Sequence, residues 1–223
     1  MSLLSEIQEV LERTYSPSGI NLEQCLIGGR RSAELAALCP GAGALTPVAR
    51  TYLRTSADNL YIGIYYDPSL IRCLEEEDPR ESISHRNVVA FIQFIEEITH
   101  GVHAALAFRA GWRRWDSEQF ACALEAQARV DTYFLLVRFC RLLGGGPIST
   151  ETRDWIWERL YGDESDGGGD GRVERRYRLA RGLAGRFVAA VRRHPRRERV
   201  LLIRRFRGPG LAEKLRLVRS LEK

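Results

Sequence analysis

The chain has two lysines among its 223 residues, a single methionine, four histidines and no Cys-x-x-Cys pair. Its five cysteines (Cys25, Cys39, Cys73, Cys122, Cys140) are odd in number and widely spaced. That excludes zinc-finger and redox spacings and a disulfide scaffold, and it points to reduced thiols. Long apolar runs are missing too: the richest stretch, Val88 to Ile98, is too short to span a bilayer and includes Glu96 and Glu97. The first residues, Met1 to Glu6, lack the basic and apolar regions of a signal peptide, so a cytoplasmic protein without a membrane span is expected. G-x-S-x-G, H-E-x-x-H and a P-loop are all absent, which removes the common hydrolase, zincin and nucleotide-binding signatures. No internal repeat is visible.

What remains is 44% apolar and 28% charged, enough to fill a core. The net charge of +5 conceals a split. Residues 1–171 carry 16 arginines and no lysine against 25 acids, a net −9. Residues 172–223 carry 16 arginines and two lysines against four glutamates, a net +14. Between them lies the one low-complexity stretch, Gly162 to Gly171 (GDESDGGGDG), which has nothing to bury and reads as a linker or surface loop. The expected organisation is an acidic, mainly helical body over 1–161, the linker over 162–171, and an arginine-rich helical segment over 172–223, either docked on the body or tethered to it.

Periodicity makes the fold class mainly α. Two long helices, Ser84 to about Ala110 and Asp116 to about Leu143, flank the turn Gly111–Trp115, with Asp116 and Gln119 as a capping-box start. A short turn between long helices predicts an antiparallel hairpin at about 84–143 as the centre of a bundle. Asn59 to Tyr66 (NLYIGIYY) alternates as a strand, a small β element that needs a partner, sought in 20–27 or within 42–46. Thr46-Pro47 resembles a cap with proline at the first helical position, predicting a helix through Arg54. Asp67-Pro68 repeats the device before another helix.

Three of the four histidines lie close together, and two share a helix: Glu96, His100 and His103 fall within about 60° of one another on the helical wheel, with Glu97 about 100° away from Glu96. Folding the hairpin at its turn sets residues whose numbers sum to about 226 side by side, so Glu125 and Arg129 stand opposite Glu96–His100, with Asp131 one turn further. Two readings follow. Glu96, His100, His103 and Glu125 form a divalent-metal site between facing helices, the basis for a metal-dependent enzyme; or the same residues form ion pairs between helices. The second helix has no histidine, so a di-iron pattern is not completed.

Gly28-Gly29-Arg30-Arg31-Ser32 precedes a short helix that Ser32 is expected to open, where backbone N–H groups with Arg30 and Arg31 suit an anion. The stronger signal is the basic end. Arg175, Arg176, Arg178, Arg181, Arg192, Arg193, Arg196, Arg197, Arg204 and Arg205 are the candidate contacts for nucleic acid or for an acidic protein partner. Tyr177, Phe187 and Phe206 are the aromatics there, and the latter two sit on apolar stripes, which disfavours base stacking. The leading expectation is therefore a non-enzymatic binding or adaptor protein of a larger assembly.

Overall fold

A computed structural model describes residues 1–38, 48–56, 58–115, 117–162, 171–208 and 210–222. The protein is mainly α with one small antiparallel sheet. The N-terminal part comprises α1 (Leu3–Thr14), a 3-10 turn (Leu22–Cys25), α2 (Gly29–Ala37), β1 (Ala49–Ser56), β2 (Asn59–Tyr66) and α3 (Pro68–Glu76). The central hairpin is α4 (Val88–Arg109) and α5 (Glu118–Leu143), followed by α6 (Thr150–Tyr161), α7 (Gly171–Val191), α8 (Arg196–Phe206) and α9 (Leu211–Leu221).

Local chemistry explains the helix starts. The Ser2 side chain accepts from the Ser5 N–H, Asp67 from Ser69, and Ser149 from Thr152, each filling a donor that the first turn leaves unpaired. The cap of α5 is Ser117, whose hydroxyl accepts from the Phe120 N–H at 3.2 Å, one residue later than the Asp116 start expected above; Asp116 itself lies outside the described residues. Helix α4 likewise begins at Val88 instead of Ser84. The buried Asn87 amide donates to the Glu77 and Ser82 carbonyls and stitches the preceding turn to α3.

The helix expected from Thr46-Pro47 through Arg54 does not form over its described part: Thr46 and Pro47 lie outside the described residues, and Ala49–Ser56 is the strand that pairs with β2, from Ala49 opposite Tyr66 to Ser56 opposite Asn59. Alternation decides it. Thr51, Leu53 and Thr55 face Ile64, Ile62 and Leu60, while Arg50 and Arg54 face Tyr65 and Tyr61. β-branched and aromatic residues at period two favour this pairing over a helix. Of the partners sought, 20–27 supplies only the 3-10 turn and a single parallel bridge from Leu26 to Ile64, and 42–46 lies outside the described residues. The sheet and the 3-10 turn rest on α4 where Gly101 sits, because a Cβ there would lie 3.3 Å from Ile64 Cδ1 of β2 and 2.8 Å from Leu22 Cδ2.

The arginine-rich segment is docked. A continuous hydrophobic cluster runs from Leu4 through the α4–α5 hairpin to Phe187, Phe206 and Val218. Helix α5 packs against α4, α6, α7 and α9. Phe91 meets Phe139 edge-on across the hairpin, at 5.0 Å between ring centres, and Phe187 stacks on Phe206 at 4.1 Å. Among the described residues no helix is long and apolar enough to cross a membrane. Because Phe187 is fully buried, Phe187→Ala should cost about 3–5 kcal/mol. The tryptophans all lie before residue 160, so urea titration followed by their fluorescence should shift together with far-UV circular dichroism; separate transitions would show that α7–α9 fold independently.

Candidate functional site

Two polar clusters flank α5. The first lies between α4, α5 and α7. The His100 ring stands between Glu97, 3.5 Å from Nδ1, and Glu125, 3.5 Å from Nε2, and all three side chains are largely buried. Glu96 faces Arg129 at 3.9 Å. Arg129 also donates to the Leu160 carbonyl, and the Tyr161 hydroxyl donates to the Arg129 carbonyl, fixing α6 to this layer. From α7, Arg176 and Arg172 reach Glu118 at 3.7 and 3.0 Å. The hairpin register is as the turn predicts, with His100 beside Glu125 and Glu96 beside Arg129.

These are charge contacts more than hydrogen bonds. Glu96 Oε1, Glu97 Oε2, His100 Nε2, Arg129 Nε and Arg176 Nε are all buried without a hydrogen-bond partner. Three carboxylates (Glu96, Glu97, Glu125) are matched by Arg129, Arg176 and a protonated His100. Burial pulls the His100 pKa down, but Glu125 and Glu97 on either side together push it well above the ordinary imidazole value. Burial raises the Glu125 carboxyl, yet His100 and the two arginines outweigh it and leave it lowered. Glu96 goes the other way: its burial raises it, with Arg129 only partly compensating.

The second cluster joins α1, α4, α5 and α9. Asp131 accepts from the Tyr15 hydroxyl at 2.5 Å and from the Gln127 amide at 3.1 Å, and His103 Nε2 lies 2.6 Å from its second oxygen. Gln127 also donates to Tyr15 at 2.9 Å and accepts from Lys214 Nζ at 2.8 Å. Lys214 is 2% exposed, donates to the Phe206 carbonyl, and its Nζ lies 4.2 Å from the centre of the Phe206 ring. Burial brings its pKa down to about 7. A cavity of about 20 Å³, room for about one water, lies between His103, Gln127, Arg207 and Lys214.

The four residues read as metal ligands are thus divided. His100 and Glu125 come together, Glu96 turns to Arg129, and His103 turns to Asp131 on the other cluster. Glu97, set aside on the helical wheel, is the α4 carboxylate beside His100. The reason is that α4 is buried on several sides, so each polar side chain follows its nearest counter-charge. Among the described residues no group of three or more His, Cys, Asp or Glu side chains is placed to hold a metal ion. Arg30 and Arg31 pair with Glu34, one turn into α2, at 3.4 and 2.9 Å.

The ten arginines read as contacts separate into two sets. Arg176 pairs with Glu118, Arg178 with Glu174 at 3.3 Å, Arg181 donates to the Gly162 carbonyl, Arg192 lies over the Trp157 ring, and Arg204 donates to the Thr14 carbonyl. Arg175, Arg193, Arg196, Arg197 and Arg205 are exposed, and among the described residues their side chains meet no acceptor, acid or ring. Arg216 on α9 joins them. Arg196 and Arg197 occupy the first turn of α8, the wrong end of the helix dipole for a cation. Beside them His194, Glu198, Leu201, Leu202, Arg204 and Arg205 line a depression of about 530 Å³.

Comparison with protein-family models, with curated proteins and with solved structures returns no match. The functional reading therefore rests on these geometries.

Sequence reasoning assigned no role to Tyr15, Gln127, Asp131 or Lys214. A signal was present: Gln127 and Asp131 are four apart among apolar α5 residues, and Lys214 shares the Leu211–Leu217–Leu221 stripe, so polar groups stood at core positions. The sign of the His100 effect can be tested. With its folded pKa raised, its stabilisation is complete below about pH 6.5 and is lost as pH rises through the folded value. His100→Gln should therefore lower stability by about 3 kcal/mol at pH 6, with the deficit shrinking at higher pH. Imidazole NMR of the parent should show His100 still protonated at pH 7; a neutral ring there would contradict the charge balance.

Proposed function

We propose that the protein is a binding protein that grips the phosphate backbone of nucleic acid through its C-terminal arginines. One observation carries this reading: Arg175, Arg193, Arg196, Arg197, Arg205 and Arg216 are exposed on α7, α8, α9 and the α7–α8 turn, all docked to the core, with no partner among the described residues. Unpaired cations repel one another and favour a polyanion, and a guanidinium suits bidentate capture of phosphate oxygens. Among the described residues of 171–222 no Phe, Tyr or Trp ring is exposed, which supports contact without base reading. Phe187 and Phe206 stack on each other in the core, and Tyr177 is half-buried beside Arg176. Recognition is then by charge and shape, largely independent of sequence.

Binding to a duplex should weaken steeply with salt through counterion release. The variant Arg193→Gln, Arg196→Gln, Arg197→Gln removes up to three phosphate contacts and should lower the slope of log K against log salt by about 0.9 per contact. Because those side chains make no hydrogen bond, ion pair or ring contact among the described residues and two of them oppose the α8 dipole, thermal stability should not fall. Fluorescence anisotropy at several salt concentrations, with duplex and single-stranded oligonucleotides, gives the slope. Equal affinity and slope for parent and variant would remove the arginines from binding, and tight binding to an acidic protein with none to nucleic acid would transfer the surface to that partner class.

A further inference from the structure

The second polar cluster lies where the α8–α9 pair meets the rest of the molecule. Lys214 is the α9 residue that holds this junction, reaching the Gln127 amide on α5 and the last carbonyl of α8, at Phe206. Several of the surrounding elements bring a titratable or charged group towards it, whereas α7 meets α9 through apolar side chains and, at its far end, the Arg186–Glu222 pair. Tyr15 comes from the end of α1, His103 from α4, Cys122 and Asp131 from α5, Arg207 from the α8–α9 connection, and Glu213 from α9 itself. Asp131 is the one buried carboxylate in this set, and it is already engaged by Tyr15, Gln127 and His103. Glu213 is exposed, and its charge is screened by solvent.

Counting charges shows what acidification does. With Lys214 and His103 neutral, Asp131 and Arg207 balance. With both protonated, two further positive charges arise in a buried site that has no second buried carboxylate to receive them. We propose that this junction is a proton-operated latch, in which protonation of Lys214 and His103 loosens the α8–α9 pair from α5 while the α4–α5 hairpin stays folded.

Burial holds both groups below their ordinary values. Lys214 lies at about 7, and His103 is lowered further by the charges of Lys214 and Arg207 against the pull of Asp131. The sign follows from linkage. For each group the detached segment binds more protons than the docked one between the docked and the free-chain pKa, so docking gains as pH rises through that window and is lost as pH falls through it. The rest of the α8–α9 attachment is mainly apolar, through Leu202, Ile203, Phe206, Leu217 and Val218, with two surface ties, Arg204 to the Thr14 carbonyl and Arg186 of α7 to Glu222. The hairpin, by contrast, keeps its own Phe91–Phe139 contact and the His100 cluster, whose raised pKa strengthens it at low pH. Acid therefore acts oppositely on the two sides of α5. The inference rests on the junction alone and stands whether the arginines meet nucleic acid or not.

Hydrogen exchange of the full chain at pH 5.5 and pH 8, expressed as protection corrected for intrinsic rate, reads the latch directly. Peptides from α8 and α9 should lose at least about ten-fold in protection at pH 5.5 while those from α4 and α5 keep theirs. Lys214→Met, of similar length without the charge, should keep α8–α9 protected at both pH values, and His103→Gln should move the midpoint. Equal protection of α8–α9 at both pH values, or a uniform loss across all helices, overturns the latch from the parent protein alone, whatever the variants do. A Lys214→Met chain that folds yet opens at the same pH as the parent overturns it equally.

Discussion

Between Phe120 and Val137 helix α5 is enclosed by α4, α6, α7 and α9, and no residue of that stretch is exposed to water. Yet it carries Glu125, Gln127, Arg129 and Asp131 at every second position. On a helix turning about 100° per residue, Glu125 and Arg129 share one side while Gln127 and Asp131 share nearly the opposite one. An unpaired polar group in such a place costs free energy comparable to a lost hydrogen bond, and an unpaired charge far more. The neighbouring elements are arranged to meet that demand. His100 and Glu96 of α4 and the Leu160 carbonyl of α6 serve one side, and Tyr15, His103 and Lys214 serve the other.

This explains why elements distant in sequence are tied together at chosen points. Apolar packing alone is tolerant of sliding, since one leucine replaces another at modest cost. A buried glutamine that must accept from one lysine and donate to one tyrosine is less tolerant. The Lys214 contact thereby sets where α8 ends and α9 begins relative to α5, and the Arg129–Leu160 contact does the same for α6. The arginine surface inherits its placement from these internal ties. Part of the C-terminal charge is consumed in them and in pairs such as Arg176–Glu118, and what is left over faces outward.

Much of this fold was legible beforehand. The α4–α5 hairpin, its register, the strand at 59–66, and the helices of the basic segment follow from periodicity and from Gly, Pro, Ser and Asp at the boundaries. The strand at 49–56 was not, because Thr46-Pro47 mimics a helix start and the segment's β-branched residues gain their meaning only opposite Ile62 and Ile64. The site was legible in part. His100 with Glu125 follows from the hairpin register, whereas the separation of His103 from His100 does not, since both lie on one helix within about 60° of each other.

By itself, then, the sequence determined the helical class, the hairpin, the small strand, and the concentration of arginine beyond residue 171, because all of these are written in local periodicity and composition. Tertiary structure alone decided which histidine meets which carboxylate, which arginines are spent inside the fold, and that a lysine on an apolar stripe is buried instead of turned to solvent. Those outcomes depend on which groups approach within a few ångströms across different helices. No local pattern contains that distance, and the energy of a buried charge depends on it.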